Sequence, residues 1–169
     1  MKWLRFVLLL VCTFFIAISI TTSADARMIR LLSNHGKWAV QSGCTSVYAT
    51  ASSTSASEGF KAGLSINFDN GYNGMPVISV IWYGNLKLSE KSQFKFTLDD
   101  NEFTSDGWVC QKNRCSPKDG DSAARILKRL LANEGRLVIA ITDNKKIIQA
   151  TFDTTGLNES YQDLLKRRR

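Results

Sequence analysis

The sequence predicts a mainly β protein: a β-sandwich with one α-helix packed across it and a short C-terminal helix. Short apolar segments with strand patterning recur along the chain, turn-forming residues separate them, and helical spacing is confined to two segments. With 44% hydrophobic and 22% charged residues, the 169-residue chain has the composition of a folded domain and not of a disordered one.

Seven segments have strand character. Apolar and polar residues alternate in Lys61–Phe68 and Gln93–Leu98, whereas Val77–Tyr83 is almost continuously apolar, which is typical of a strand covered on both faces. Arg136–Thr142 and Lys146–Phe152 are rich in β-branched residues and flank a short polar turn, so they predict a hairpin. The remaining two segments are Trp38–Val40 and Trp108–Cys110.

One stretch between these segments, Ala49–Glu58, lacks any large apolar residue. It consists of alanine, serine and threonine up to its final glutamate. Runs of small polar residues are typical of turns and loops. We therefore expect an exposed, mobile loop here.

The internal helix is predicted to begin after Asp121, an effective N-cap residue, and to end before Asn133 and Gly135. Its apolar positions recur at helical spacing: Ala123, Ile126, Leu127, Leu130 and Leu131. Its opposite face carries three cations: Arg125, Lys128 and Arg129. A second helix is predicted over Asn158–Lys166, with four side chains on one side: Leu157, Tyr161, Leu164 and Leu165.

Residues 1–26 have the pattern of a cleaved signal peptide. Lys2 and Arg5 precede an apolar run, and Ala24-Asp25-Ala26 is a small-x-small cleavage site. The alternative, an uncleaved anchor, is disfavoured because an apolar run of about 15 residues is short for a membrane span. Residues 27–169 then form a single exported domain.

The formal charge of +7 is concentrated near one end of the chain. Removal of residues 1–26 leaves +6, of which the basic tail, Lys166-Arg167-Arg168-Arg169, supplies +4. We expect this tail and the cationic helix face to contact acidic lipids or lipopolysaccharide. No nucleic-acid partner is expected, because no aromatic residues are interleaved among these charges.

The cysteines predict one local disulfide. Cys110 and Cys115 enclose a polar four-residue loop, and export permits disulfide formation, so we interpret the pair as a structural clamp. Cys44 has no partner in the mature chain. It is either a buried thiol or the site of an intermolecular disulfide, so the protein is expected to be a monomer or a Cys44-linked dimer.

Catalytic and metal-binding functions are disfavoured. The chain has one histidine, His35, which excludes sites that need two imidazoles, and a His35–Cys44 pair would lack a third orienting group. The acidic stretches Asp69–Gly74 and Asp99–Glu102 each lack part of a calcium-loop pattern, and we interpret both as hairpin turns. We therefore expect no enzyme activity, no metal and no cofactor.

Three short motifs carry a family resemblance. They are the segment Gly36-Lys37-Trp38-Ala39-Val40, the pair Cys110 and Cys115 ahead of the predicted helix, and a closing segment with Phe152, Gly156, Leu157 and Tyr161. In this order the chain resembles the invasion-associated locus B family of exported Gram-negative proteins. The resemblance implies an immunoglobulin-like β-sandwich. Members typically carry an N-terminal disulfide, but here Ser42 stands near the first cysteine position and only Cys44 is present.

The function expected from these features is binding. The resemblance implies an exported, non-enzymatic envelope or surface protein with a role in host-cell interaction or invasion, located in the periplasm or at the outer membrane or outside the cell. Its envelope or host-surface partner is unknown. The alternative is a periplasmic inhibitor or chaperone-like accessory that recognises another envelope protein, because the strand edges of a sandwich can accept an added strand and the Ala49–Glu58 loop could become ordered on contact.

Overall fold

The structure, a computed structural model, confirms a mainly β protein with two antiparallel sheets and two helices. It describes residues 29–43, 46–57, 59–68, 75–84, 86–89, 92–104, 107–143 and 146–167. The predicted signal peptide, Cys44, the Asp69–Gly74 turn and the last two arginines therefore lie outside the described residues.

The described residues form twelve strands. These are β1 (Arg30–His35), β2 (Trp38–Ser42), β3 (Val47–Ser52), β4 (Ser55–Ala56), β5 (Lys61–Asn67), β6 (Val77–Tyr83), β7 (Gln93–Leu98), β8 (Asn101–Thr104), β9 (Trp108–Gln111), β10 (Arg114–Pro117), β11 (Arg136–Asp143) and β12 (Lys146–Asp153). The larger sheet has the order β1-β2-β3-β5-β6-β10-β9, and the smaller sheet has the order β4-β12-β11-β7-β8.

Registered rows of apolar side chains give each sheet a buried face. In the larger sheet Trp38 lies opposite Ala51, which lies opposite Leu64, and all three are buried. In the smaller sheet Phe96 lies opposite Ile139, which is again buried. Cross-strand partners share a face, so these rows define the inner surfaces of a sandwich.

The two buried faces pack against each other. The ring of Trp108 on β9 lies 5.1 Å from the rings of both Phe94 and Phe96 on β7, so side chains of the two sheets are in direct contact. The buried residues of both sheets and both helices belong to one hydrophobic cluster. This shared core positions the helices relative to the sheets.

All seven predicted strand segments are strands, and the β11–β12 hairpin has the predicted pairing. The expected number of strands, about seven, was wrong, because β1, β3, β4, β8 and β10 were missed. Four of these are short or contain few large apolar residues, and such segments give little periodic signal. The Asp99-Asp100 turn between β7 and β8 confirms the hairpin turn predicted in that stretch.

The prediction of an exposed loop over Ala49–Glu58 was wrong for most of that stretch. Its first part lies in β3, where Ala49 and Ala51 are buried, and its second part includes β4. The small side chain of Ala51 is accommodated beside the large ring of Trp38, its cross-strand neighbour. Between β3 and β4 the chain passes from one sheet to the other, and the backbone N–H of Thr54 donates to the carbonyl of Thr151.

Two helices complete the fold. The first, α1 (Gly120–Ala132), contacts β6 and β10, and the second, α2 (Leu157–Arg167), contacts β1, β2 and β3. The predicted N-cap of α1 was wrong by two residues. Asp119, not Asp121, caps the helix, because its carboxylate accepts a hydrogen bond of 2.8 Å from the Ser122 backbone N–H.

The turn between β1 and β2 fixes the start of α2. Gly36 in this turn and Gly156 directly before α2 both have positive φ, +57° and +85°. The N–H of Lys37 donates to the carbonyl of Thr155 over 3.3 Å. The two backbones approach so closely that a Cβ atom at Gly156 would lie 2.2 Å from the carbonyl oxygen of His35. Glycine is therefore required at this contact.

Candidate functional site

The candidate site is built on α1, whose orientation follows from its cap and its apolar stripe. The Ser122 N–H bonded to the Asp119 carboxylate lowers the pKa of that carboxyl, which keeps it ionised at the positive end of the helix. On the core side, Ile126, Leu127 and Leu130 are buried. The predicted cationic face of α1 is consequently turned outward.

The three cations of α1 are exposed, but they have different surroundings. The guanidinium of Arg125 donates to the Ser122 hydroxyl over 3.0 Å. That of Arg129 lies over the Phe103 ring, 4.9 Å from its centroid. For Lys128, the part of the chain that the structure describes places no carboxylate within salt-bridge distance. Lys128 is therefore the cation of α1 most available to an anionic ligand.

An apolar cleft lies beside Lys128, between α1, α2 and the residues that precede β6. Its volume is about 480 Å³. We call it the helical cleft and define it by its lining residues: Met75, Pro76, Ala124, Leu127, Lys128, Leu131, Ala132 and Tyr161. Five of the eight come from one face of α1, so the cleft follows that helix for about two turns, or about 12 Å.

A second concavity lies on the other side of the α1 cations. It has a volume of about 350 Å³ and is lined by Leu98, Asp99, Asn101, Phe103, Arg129 and Asn133. Two of its polar side chains already have partners within the protein. The Asp99 carboxylate accepts a hydrogen bond from the Arg136 backbone N–H, and the Arg129 guanidinium lies over the Phe103 ring. The helical cleft is the more open to a ligand.

The two helices that carry the predicted cations are in contact with each other. The N–H of Asn158 at the start of α2 donates to the Glu134 carboxylate, just beyond the end of α1. Lys166 and Arg167, at the other end of α2, are exposed, whereas Arg168 and Arg169 lie outside the described residues. We call the exposed cations of the two helices, Arg125, Lys128, Arg129, Lys166 and Arg167, the basic helical surface.

Arg167 also has a structural role. Its Nε donates to Asp163 over 2.8 Å, and the same carboxylate accepts a hydrogen bond from Ser33 on β1. The His35 Nε2 atom lies 3.5 Å from Asp163 Oδ2. The Ser33 hydroxyl, followed by Arg167, lowers the pKa of the Asp163 carboxyl. Asp163 thus ties α2 to the edge strand of the larger sheet.

This tie predicts a pH-dependent contribution to stability. A carboxyl whose pKa is lower in the folded state stabilises the fold above its unfolded pKa of about 3.9, and this contribution is lost as the pH falls through the lowered value. We expect Asp163→Asn to destabilise the protein at pH 7 and the difference from the wild type to shrink below about pH 4. Urea unfolding across this pH range measures the difference. A difference in unfolding free energy between the two proteins that stays constant down to pH 2 would contradict this role of the Asp163 carboxylate.

The predicted disulfide is present. Cys110 on β9 lies opposite Cys115 on β10, both are buried, and their sulfurs are bonded with a Cα–Cα distance of 4.1 Å. Strands β9 and β10 form a hairpin. Its turn contacts β6, where the backbone N–H of Trp82 donates a hydrogen bond to the backbone carbonyl of Asn113. The disulfide that the spacing predicted therefore clamps a hairpin that contacts α1.

Two properties of the described residues bear on metal binding and membrane insertion. These residues contain no group of three or more His, Cys, Asp or Glu side chains that could hold a metal ion. Neither helix in the described part of the chain has the length and apolar character needed to cross a membrane.

Comparison with protein-family models gives no match. Among curated proteins none matches the chain, and none of the solved structures does so either. What the surface can bind therefore follows from its own residues and geometry.

Sequence reasoning found the cations of this region but missed the concave surface between them. The helical cleft needs Met75 and Tyr161 to lie near α1, and no local pattern indicates that contact. It also missed the tie between Ser33 and Asp163, which are 130 residues apart. The one available signal was Tyr161, which was placed correctly on the apolar side of α2 and lies 6.0 Å from Phe68 between ring centroids.

Proposed function

We propose that this chain is an exported, non-enzymatic envelope or surface protein that acts by binding, and that its basic helical surface contacts anionic lipid or lipopolysaccharide headgroups. The observation that carries the proposal is the position of the exposed cations on two helices that touch each other. Because each cation near an anionic membrane surface contributes about 1 kcal/mol, several together are sufficient for measurable adsorption.

The wider assignment belongs to the same proposal. Membership of the invasion-associated locus B family stays a prediction, as do the immunoglobulin-like arrangement of the strands, a role in host-cell interaction or invasion, and a location in the periplasm or at the outer surface. The basic helical surface supports the binding role independently of the family, since its charge and exposure do not depend on any relative.

Charge reversal tests the proposed function. We expect Arg125→Glu with Lys128→Glu to lower adsorption to phosphatidylglycerol vesicles by about thirtyfold or more at low salt, because two favourable contributions of about 1 kcal/mol become repulsive. Adsorption of the wild type should also fall at high salt. Vesicle flotation measures both effects.

The matched control is Lys61→Glu with Lys87→Glu, which changes the charge equally at exposed positions that belong to neither helix. It should lose little adsorption. Equal losses in the two double variants would show that net charge, and not the basic helical surface, determines binding. Wild-type adsorption that is the same on phosphatidylglycerol and on phosphatidylcholine vesicles would overturn the proposal.

A second candidate function is recognition of another envelope protein by strand addition. It is favoured by β1, which lies at an edge of the larger sheet with Leu31 53% exposed and Ile29 directly before it 63% exposed. Exposed apolar edge strands pair readily with other chains. Salt-insensitive binding of one envelope protein that survives the Arg125→Glu, Lys128→Glu exchange is the result expected for this alternative.

A further inference from the structure

The helical cleft combines a mostly apolar lining with an extent of about two turns of α1. Of its eight lining residues, Lys128 is the one with a charge, and Tyr161 is the other with a polar side-chain atom. Its volume of about 480 Å³ is within the range of small-molecule sites, about 300–1,000 Å³. It extends along α1 for about two helical turns, because five residues of that helix line it.

The apolar surface of the cleft is accessible to a ligand. Met75 is 41% exposed, and Leu131 is only partly buried although it adjoins the core. Leu165, one turn beyond Tyr161 on α2, is 37% exposed and extends the apolar surface along that helix. Exposed apolar side chains that adjoin one another are typical of binding sites.

The positive charge beside the cleft determines which kind of headgroup the ligand can carry. Lys128 lines the cleft and is exposed, and within the described ranges no carboxylate neutralises it. Arg125 and Arg129 lie on the same outward face of α1. An apolar chain in this cleft therefore meets a positive field at its rim, which favours an anionic headgroup and disfavours a cationic one.

We propose that the helical cleft binds one acyl chain of an anionic amphiphile, with the headgroup at Lys128. This inference rests on the proposed function, since it names the part of a lipid that the basic helical surface would hold after adsorption. It goes beyond adsorption because it requires a single chain to be buried against Leu127, Leu131 and Tyr161.

Chain-length dependence is the principal test. Octanoate, decanoate and dodecanoate are titrated below their micelle concentrations into the full-length protein with its Cys110–Cys115 disulfide intact, and the dissociation constants are measured by calorimetry. We expect affinity to rise about three- to fourfold for each methylene added until the cleft is full. Decylammonium, with the same chain length as decanoate but the opposite charge, should bind more weakly. Affinities that do not change with chain length, or an absence of binding by all three acids, would overturn the proposal.

Variants of α1 locate the binding. Lys128→Gln should lower the affinity for decanoate by about two- to fivefold, the usual effect of losing an exposed ion pair. Ala132→Trp, at an exposed position, should lower the affinity for decanoate by about tenfold or more, because the added ring occupies the cleft. Lys61→Gln is the matched control, since Lys61 is an exposed lysine on β5 that does not line the cleft. A loss of decanoate affinity with Lys61→Gln as large as that with Lys128→Gln would contradict the placement.

The two proposals fail separately. Vesicle adsorption that depends on the α1 cations without any decanoate binding would leave the proposed function standing and overturn the acyl-chain site. Fatty-acid binding that depends on chain length, together with equal adsorption to neutral and anionic vesicles, would support the acyl-chain site and overturn the proposed function. If Ala132→Trp converts a non-covalent dimer to a monomer in sedimentation experiments, the occupant of the cleft is a second copy of this chain and the acyl-chain proposal is wrong.

Discussion

Replacement of Gly156 by alanine is expected to destabilise the protein by more than about 3 kcal/mol, one of the largest single-residue effects in the molecule. Its φ of +85° alone costs a non-glycine residue about 1–3 kcal/mol. In addition, the new methyl group would lie 2.2 Å from the His35 carbonyl oxygen and 2.9 Å from the Gly36 nitrogen. Both neighbours are backbone atoms, so relief requires the start of α2 to move away from the β1–β2 turn.

Gly59 provides the matched control for this prediction. Its φ of +78° is similar, but no atom of the described residues, apart from its neighbours in the chain, lies within 4 Å of the position that a Cβ atom would occupy. Gly59→Ala therefore carries the backbone cost without the collision. Urea unfolding followed by tryptophan fluorescence compares the two variants. Gly156→Ala should lose at least about 2 kcal/mol more than Gly59→Ala, or accumulate as insoluble protein while Gly59→Ala folds. Equal losses would contradict the close approach of the two backbones.

Replacement of Phe96 by alanine is the second large effect, with an expected loss of about 3–5 kcal/mol. Phe96 is 1% exposed, and its ring lies 5.1 Å from Trp108 and 5.4 Å from Phe103. The substitution removes one of the two β7 rings that contact Trp108 of the opposite sheet. Because Phe103 supports the Arg129 guanidinium, we also expect this cation to become less ordered.

Thermal and urea unfolding measure the loss, and near-ultraviolet circular dichroism reports the surroundings of Trp108. Phe60→Ala is the control, because Phe60 is partly buried and contacts Lys146 at the periphery of the core. It should cost clearly less than Phe96→Ala. A Phe96→Ala variant that is as stable as Phe60→Ala would contradict the central position of this aromatic cluster.

The parts of the fold with strong periodicity could be predicted from the sequence. Alternation in Gln93–Leu98 and the apolar run of Val77–Tyr83 match β7 and β6 in their bounds, because large apolar residues at regular spacing can be buried in few other ways. The stretch with Ala49 and Ala51 could not be recognised in this way. Their burial depends on partners from other strands. Ala51 lies between Trp38 and Leu64, and Ala49 lies between Val40 and Ile66.

The candidate site could also be predicted only in part from the sequence. Helical spacing was enough to place Arg125, Lys128 and Arg129 on the exposed face of α1. The cap at Asp119 was misplaced because Asp119 and Asp121 are both suitable residues, and only the hydrogen bond to Ser122 distinguishes them. A cleft formed by three separate segments has no signal in any one of them, because its shape exists only in the tertiary structure.

The crossing of the chain between the two sheets has a consequence for the order of folding. The short strand β4 is hydrogen-bonded only to β12 within its sheet, and the partner residues Ser55 and Thr151 lie almost a hundred positions apart in the sequence. The smaller sheet also needs β11 between β12 and β7. Until the C-terminal hairpin arrives, the smaller sheet lacks its centre and the larger sheet has no complete layer to pack against, so contacts of long sequence separation dominate folding. We therefore expect folding to be completed only after the C-terminal hairpin is available to the rest of the chain.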